Sequence, residues 1–119
     1  MYGMIHKAIR DMVKTVHSEQ AWQSVLTESG ASEGDFLSLR SYDDDIAYNL
    51  VGACSKILGA PPEACLEDFG RFWVLVTASE HYSDMMRSYG QDTFSLLNRM
   101  NEMHERISST FSGYKPPYF

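Results

Sequence analysis

Residues 91–119 read QDTFSLLNRMNEMHERISSTFSGYKPPYF, and the fold reading starts from this stretch. Phe94, Leu97, Met100, His104, Ile107 and Phe111 recur at steps of three and four, the spacing of one face of an α-helix. Asn98, Arg99, Asn101, Glu102, Glu105 and Arg106 fall on the opposite face, which is therefore expected in water. The spacing predicts one long helix from about Asp92, a good cap, ended by Gly113 and by Pro116-Pro117. A histidine stands in its apolar stripe. Two readings of His104 are open: a core imidazole hydrogen-bonded to a neighbour, or a metal or cofactor ligand.

Upstream, every element also reads as helical. Ile5, Ala8, Ile9, Met12, Val13 and Val16 give a stripe to a helix over Tyr2–His17, with His6 and His17 off the stripe and solvated. Ser18 caps a second helix that Gly30 closes, with Trp22, Val25 and Leu26 buried. Ser32 and Asp35 resemble a capping box ahead of Phe36, Leu37 and Leu39. Asp43-Asp44-Asp45 lacks the alternation and glycine of a calcium loop, and reads as carboxylates capping a helix N-terminus. That helix runs from about Asp45 to Leu58, with Ile46, Leu50, Ala53, Cys54, Ile57 and Leu58 inward, and stops at Gly59.

Pro61-Pro62 opens the next helix, which carries Leu66, Phe69, Trp73 and Val76 at helical spacing with Thr77 beside them. Gly70 inside it costs about 1 kcal/mol against alanine, which points to a close approach by another backbone or a ligand. A shorter helix over Glu80–Tyr89 is anchored by Tyr82, Met85 and Met86. No strand-like alternation, repeat or linker is present, so the segment is all-α and fits one domain over residues 1–119.

Composition narrows the function. The formal charge is −6 and no Lys/Arg cluster occurs, which argues against nucleic acid. The longest apolar run, Phe72–Val76, is too short to span a membrane. The opening MYGMIHKAIRDMVK is amphipathic and charged, unlike a signal peptide, and the expected location is the cytoplasm. Cys54 and Cys65 are not in a CxxC pair and are expected reduced and packed. No phosphate loop, HExxH, GxSxG or Ser/His/Asp set appears, so residue chemistry gives catalysis no support. A lone buried histidine is a poor zinc site, yet it suffices for haem, whose porphyrin supplies four nitrogens.

Four stretches carry a family resemblance: MYGMIHKAI, YDDDIAYNLVGACSKILG, FGRFWV and LLNRMNEMHERISSTFSGYKPPYF. Together they resemble the H-NOX domain, the haem-binding sensor of nitric oxide or oxygen found in soluble guanylate cyclase and in stand-alone bacterial proteins. The resemblance spans the chain and is most specific at the MH…PP stretch. It implies haem b (iron protoporphyrin IX) with His104 as the proximal iron ligand and Pro117 pressing on the haem. It further implies Ile5, Trp73 and Thr77 on the distal side, and Met100 and Phe111 on the proximal wall.

The same resemblance implies a non-enzymatic gas sensor, with nitric oxide as the default ligand. Gas binding opposite His104 would loosen the iron–histidine bond and shift the helix. The partner would be a histidine kinase or a cyclic-nucleotide enzyme. The family continues into a sheet-containing half with a Tyr-x-Ser-x-Arg motif for the haem propionates, which this sequence lacks. The expected fold is therefore the helical part of an α/β domain. The alternative function is a cofactor-free helical interaction module or a relative that does not bind haem.

Overall fold

The computed structural model describes residues 1–119, and all of its regular elements are helical. The chain divides into two compact units, Met1–Leu75 and Val76–Phe119.

The first unit begins with α1 (Gly3–Met12), which runs into a π-type turn over Val13–His17. Ser18 then caps α2 (Glu19–Ser29) by accepting a hydrogen bond from the Ala21 N–H at 3.0 Å. Gly30 ends α2 with φ of 70°, a left-handed conformation that glycine adopts without a Cβ penalty. Ser32 and Asp35 form the expected capping box on a 3₁₀ turn, Glu33–Phe36. The long α3 (Asp44–Leu58) follows, and α4 (Pro62–Phe72) starts with proline in its first turn. The core is built from Ile9, Met12, Val13, Trp22, Val25, Phe36, Leu50 and Cys54, where α2 packs on α3 and α1 lies against both α3 and α4.

An extended lead-in ties α1 to the segment before α3. The Gly3 N–H donates to the Arg40 carbonyl (2.9 Å), Met4 to Ser38 (3.1 Å) and Tyr42 to Met1 (2.8 Å). The Met1 ammonium donates to the Tyr42 carbonyl (2.6 Å) and pairs with Asp44 at 2.8 Å. Gly3 is required here: a Cβ would stand 2.2 Å from the Leu37 carbonyl oxygen. The aspartates stand at the α3 N-terminus as expected, with Asp44 and Asp45 in its first turn, and only the side-chain cap is corrected. Asp43 makes no side-chain cap, and Asp44 holds the terminal ammonium instead.

His6 is a second correction. It is fully buried rather than solvated, because the lead-in seats α1 deeper than its stripe implies. Its Nδ1–H donates to the Asp35 carbonyl at 2.7 Å, while Phe36 and Tyr42 flank the ring and Nε2 has no partner. Val16 and Ile57, expected inside, are exposed, and so are Leu37, Leu39 and Leu66. Gly70 meets no close neighbour either, so its place in α4 is not explained by a backbone or side chain approaching it.

In the second unit the expected Glu80–Tyr89 helix is two pieces, α5 (Ser79–His81) and α6 (Ser83–Tyr89). The long helix predicted from Asp92 onward is also two: α7 (Thr93–Asn98) and α8 (Met100–Thr110), broken at Arg99, where ψ is 8°. Asp92 caps α7 as expected, accepting from the Ser95 N–H at 2.9 Å. The break changes which face is covered. Phe94 and Leu97 are 81% and 52% exposed, and Met103 is the buried residue of α8. Gly90 fits closely under α7, for a Cβ there would lie 2.3 Å from the Leu96 nitrogen.

Gly3→Ala should destabilise the protein by about 1–3 kcal/mol, the usual cost of forcing atoms into a filled space, read as a lower urea midpoint. Burial pushes the Cys54 thiol from its ordinary 9.0 up to about 11, with Cys65 close by adding to the effect. Since the unfolded thiol ionises first, stability from this group is complete below about pH 9 and falls as pH rises toward 11. Cys54→Ala should flatten that alkaline decline in urea midpoints.

Candidate functional site

His104 sits in the second turn of α8 and is half-buried, not sunk in a sealed stripe. The reason is the interruption at Arg99, which turns Met103 to the core and leaves His104 beside it. After α8 the chain turns at Gly113, with φ of 80°, into an irregular strap ending at Phe119. That strap comes back along α8.

Two side chains on one face of α8 hold the strap. Asn101 grips Phe119 at both ends of its amide: its Nδ2 donates to the Phe119 oxygen (2.5 Å), and its Oδ1 accepts from the Phe119 N–H (2.8 Å). One turn on, His104 Nδ1 lies 3.3 Å from the Pro117 carbonyl oxygen. A carbonyl only accepts, so Nδ1 carries the hydrogen, and in the neutral ring Nε2 carries the lone pair. The ring lies edge-on to Tyr114 at 6.5 Å and tilted to Phe119 at 6.1 Å. Burial first, and Tyr82 second, push the Tyr114 phenol above its ordinary range, so it is neutral near pH 7.

The remaining expected residues are distributed as follows. Met100 opens α8, one turn before His104, and Phe111 follows its last turn; both are half-buried. Pro117 is exposed on the strap, its carbonyl engaged by His104. Thr77 is half-buried in a π-helical stretch, Trp73–Ala78. Trp73, in the first unit, is half-buried with its ring 6.0 Å from that of Phe69. Ile5, also in the first unit, is half-buried on α1 beside the sealed His6. Within the second unit, His104 and Pro117 are thus brought into direct contact. Ile5 and Trp73 lie in the other unit.

No group of three or more His, Cys, Asp or Glu side chains is gathered in the chain, so a metal held wholly by such side chains has no site. The donor set suits a group needing one axial imidazole. His104 would fit such a group: its Nδ1–H is anchored on a backbone carbonyl, which orients the ring and leaves the lone pair on Nε2. Asn101 escaped the sequence reading because it fell on the expected wet face and its partner is 18 residues away. The i, i+3 spacing of Asn101 and His104 was the available signal.

Known proteins give the same class. The family described as haem-NO-binding matches residues 2–119, and the chain belongs to it. Among its relatives are soluble guanylate cyclase gcy-31 of Caenorhabditis elegans, 25% identical over the whole chain, and soluble guanylate cyclase 89Db of Drosophila melanogaster, 23% identical over 98% of it. The chain spans only 17% and 18% of those two proteins. An H-NOX protein from S. oneidensis, solved in its Fe(II)NO ligation state, superposes with a TM-score of 0.82 at 21% identity over 99% of this chain and 65% of that one. The fold is therefore the helical part of the H-NOX fold. No helix is long and apolar enough to cross a membrane.

Asn101→Ala should free the strap. Loss of two partly exposed hydrogen bonds costs about 1–3 kcal/mol locally. The Phe119 amide should then exchange with deuterium at least tenfold faster, as followed by NMR.

Proposed function

We propose that residues 1–119 are the helical portion of a haem b-binding gas sensor of the H-NOX type, with His104 Nε2 as the iron ligand. The observation that carries this is the His104 Nδ1–H bond to the Pro117 carbonyl, which leaves a half-buried ring with a ligating nitrogen and no other hydrogen bond. Membership of the haem-NO-binding family supports it. Bound haem would supply an iron centre able to take a diatomic ligand.

The chain's own residues do the rest. The Pro117 carbonyl fixes the tautomer and direction of His104. Asn101 keeps the strap, and so Pro117, in place. Met100 and Phe111 supply apolar surface on the proximal side. Ile5, Trp73 and Thr77 are assigned to the distal side, where mostly apolar lining favours nitric oxide over oxygen. The function is sensing rather than catalysis, with the signal passed to a cyclic-nucleotide enzyme or a histidine kinase. The names of the guanylate cyclase relatives favour the former.

One observation favours a second reading. Tyr114 and Phe119 already lie beside the His104 ring, as in a cofactor-free helical module. Titration with haemin separates the two. The sensor gives a sharp haem absorption band in the wild type, lost in His104→Ala and restored in His104→Gly by added imidazole. It also melts later, with haem contributing about 4 kcal/mol at a thousandfold excess over Kd. A wild type with no band and an unmoved melting curve would leave the cofactor-free module standing.

A further inference from the structure

The break that separates α7 from α8 has no cause in the local sequence. Sharp helix interruptions normally fall at Pro, at Gly or at an inserted group. Residues 93–110 contain neither Pro nor Gly. Their apolar spacing also favours one continuous helix, with Phe94 and Leu97 on the same stripe as Met100 and His104. Instead Arg99 adopts φ −108° and ψ 8°, and Phe94 and Leu97 stand in water. Something outside the helix must hold this arrangement.

The Arg99 side chain is placed to do so. Its Nε and Nη2 fork onto Glu102 at 2.9 and 3.0 Å, and Nη1 donates to the Tyr89 carbonyl at 3.4 Å. Its guanidinium carbon lies 5.1 Å from the centre of the Tyr89 ring, within cation–π range. Tyr89 is buried at the end of α6. The Glu102 pair is three residues along and would survive in a straight helix. The Tyr89 contacts are the ones that cross to another element. On the far side, Gly90 locks the first turn of α7 beneath α6. So α7 is fixed to α6 by backbone packing, and α8 is fixed to α6 through Tyr89.

We propose that Arg99 is a positioning residue for His104: by gripping Tyr89 across the α7–α8 break, it holds α8 out of line with α7 and sets the direction in which the imidazole is presented. The statement about the imidazole as iron ligand rests on the sensor reading above; the statement about the break does not. Release of the Tyr89 grip lets residues 93–110 relax toward the continuous helix that their sequence favours. His104 then turns with α8. The break is a two-state element five residues from the ligand, and Arg99 biases it.

The test uses the full chain with Arg99→Ala and Arg99→Lys. Lysine keeps the charge but has neither the planar fork nor the stacking surface. Both variants are expected to fold, since Arg99 is half-exposed, and dispersed amide spectra check this. Without haem, the wild-type Arg99 Cα resonance should lie outside the helical range, and position 99 should shift into it in both variants. With haem bound and reduced, the iron–histidine stretching band in the resonance Raman spectrum should shift in both variants. An unchanged Cα resonance in both would overturn the brace. A Cα resonance that moves while the Raman band stays fixed would overturn the positioning role. A wild type that takes up no haem overturns the sensor reading and with it the imidazole half of this proposal, while the Cα resonances still decide the brace.

Discussion

The helix carrying His104 is interrupted at Arg99, and that interruption decides which side chains of α8 face the core and which face the strap. With it, Met103 packs inward while Asn101 and His104 look onto the returning segment 113–119. In a straight helix His104 would share a stripe with Phe94 and Leu97, and the strap would meet a different face. The geometry of the site is thus set by one residue's backbone torsions and by the tertiary contacts that sustain them.

Around that constraint the two units use different means of support. The first is built on ordinary burial, with Trp22, Leu50 and Val25 sealed between helices, and on a backbone lead-in that threads past Leu37 because Gly3 has no side chain. The second buries fewer large side chains and relies more on polar grips: the Asn101 amide on Phe119, the His104 ring on Pro117, the Arg99 guanidinium on Tyr89. Each such grip at a partly exposed position contributes little by itself. A region held this way opens more readily than a core-packed one.

His6 and His104 show how burial and chemistry separate two similar side chains. Both donate Nδ1–H to a backbone carbonyl, Asp35 and Pro117 respectively. His6 is sealed among Phe36 and Tyr42, so its free nitrogen reaches nothing. His104 is half-buried, with Tyr114 and Phe119 beside its ring. Spacing along the chain placed His104 inside and His6 outside, and in both cases the contacts reversed or moderated that placement.

What the sequence by itself determined was the helical class, the caps at Ser18 and Asp92, the stops at Gly30 and Gly59, the proline start of α4, and the identity of His104 as the residue worth watching. These depend on local terms: hydrogen bonds within a turn, left-handed torsions that suit glycine, and the fixed φ of proline. Tertiary structure alone decided the break at Arg99, the burial of His6, the pairing of Asn101 with Phe119 and the ammonium grip of Asp44. Each of these joins groups distant along the chain, or overrides a local preference through such a contact. Periodicity reports which residues share a face; it carries no information about what that face will meet.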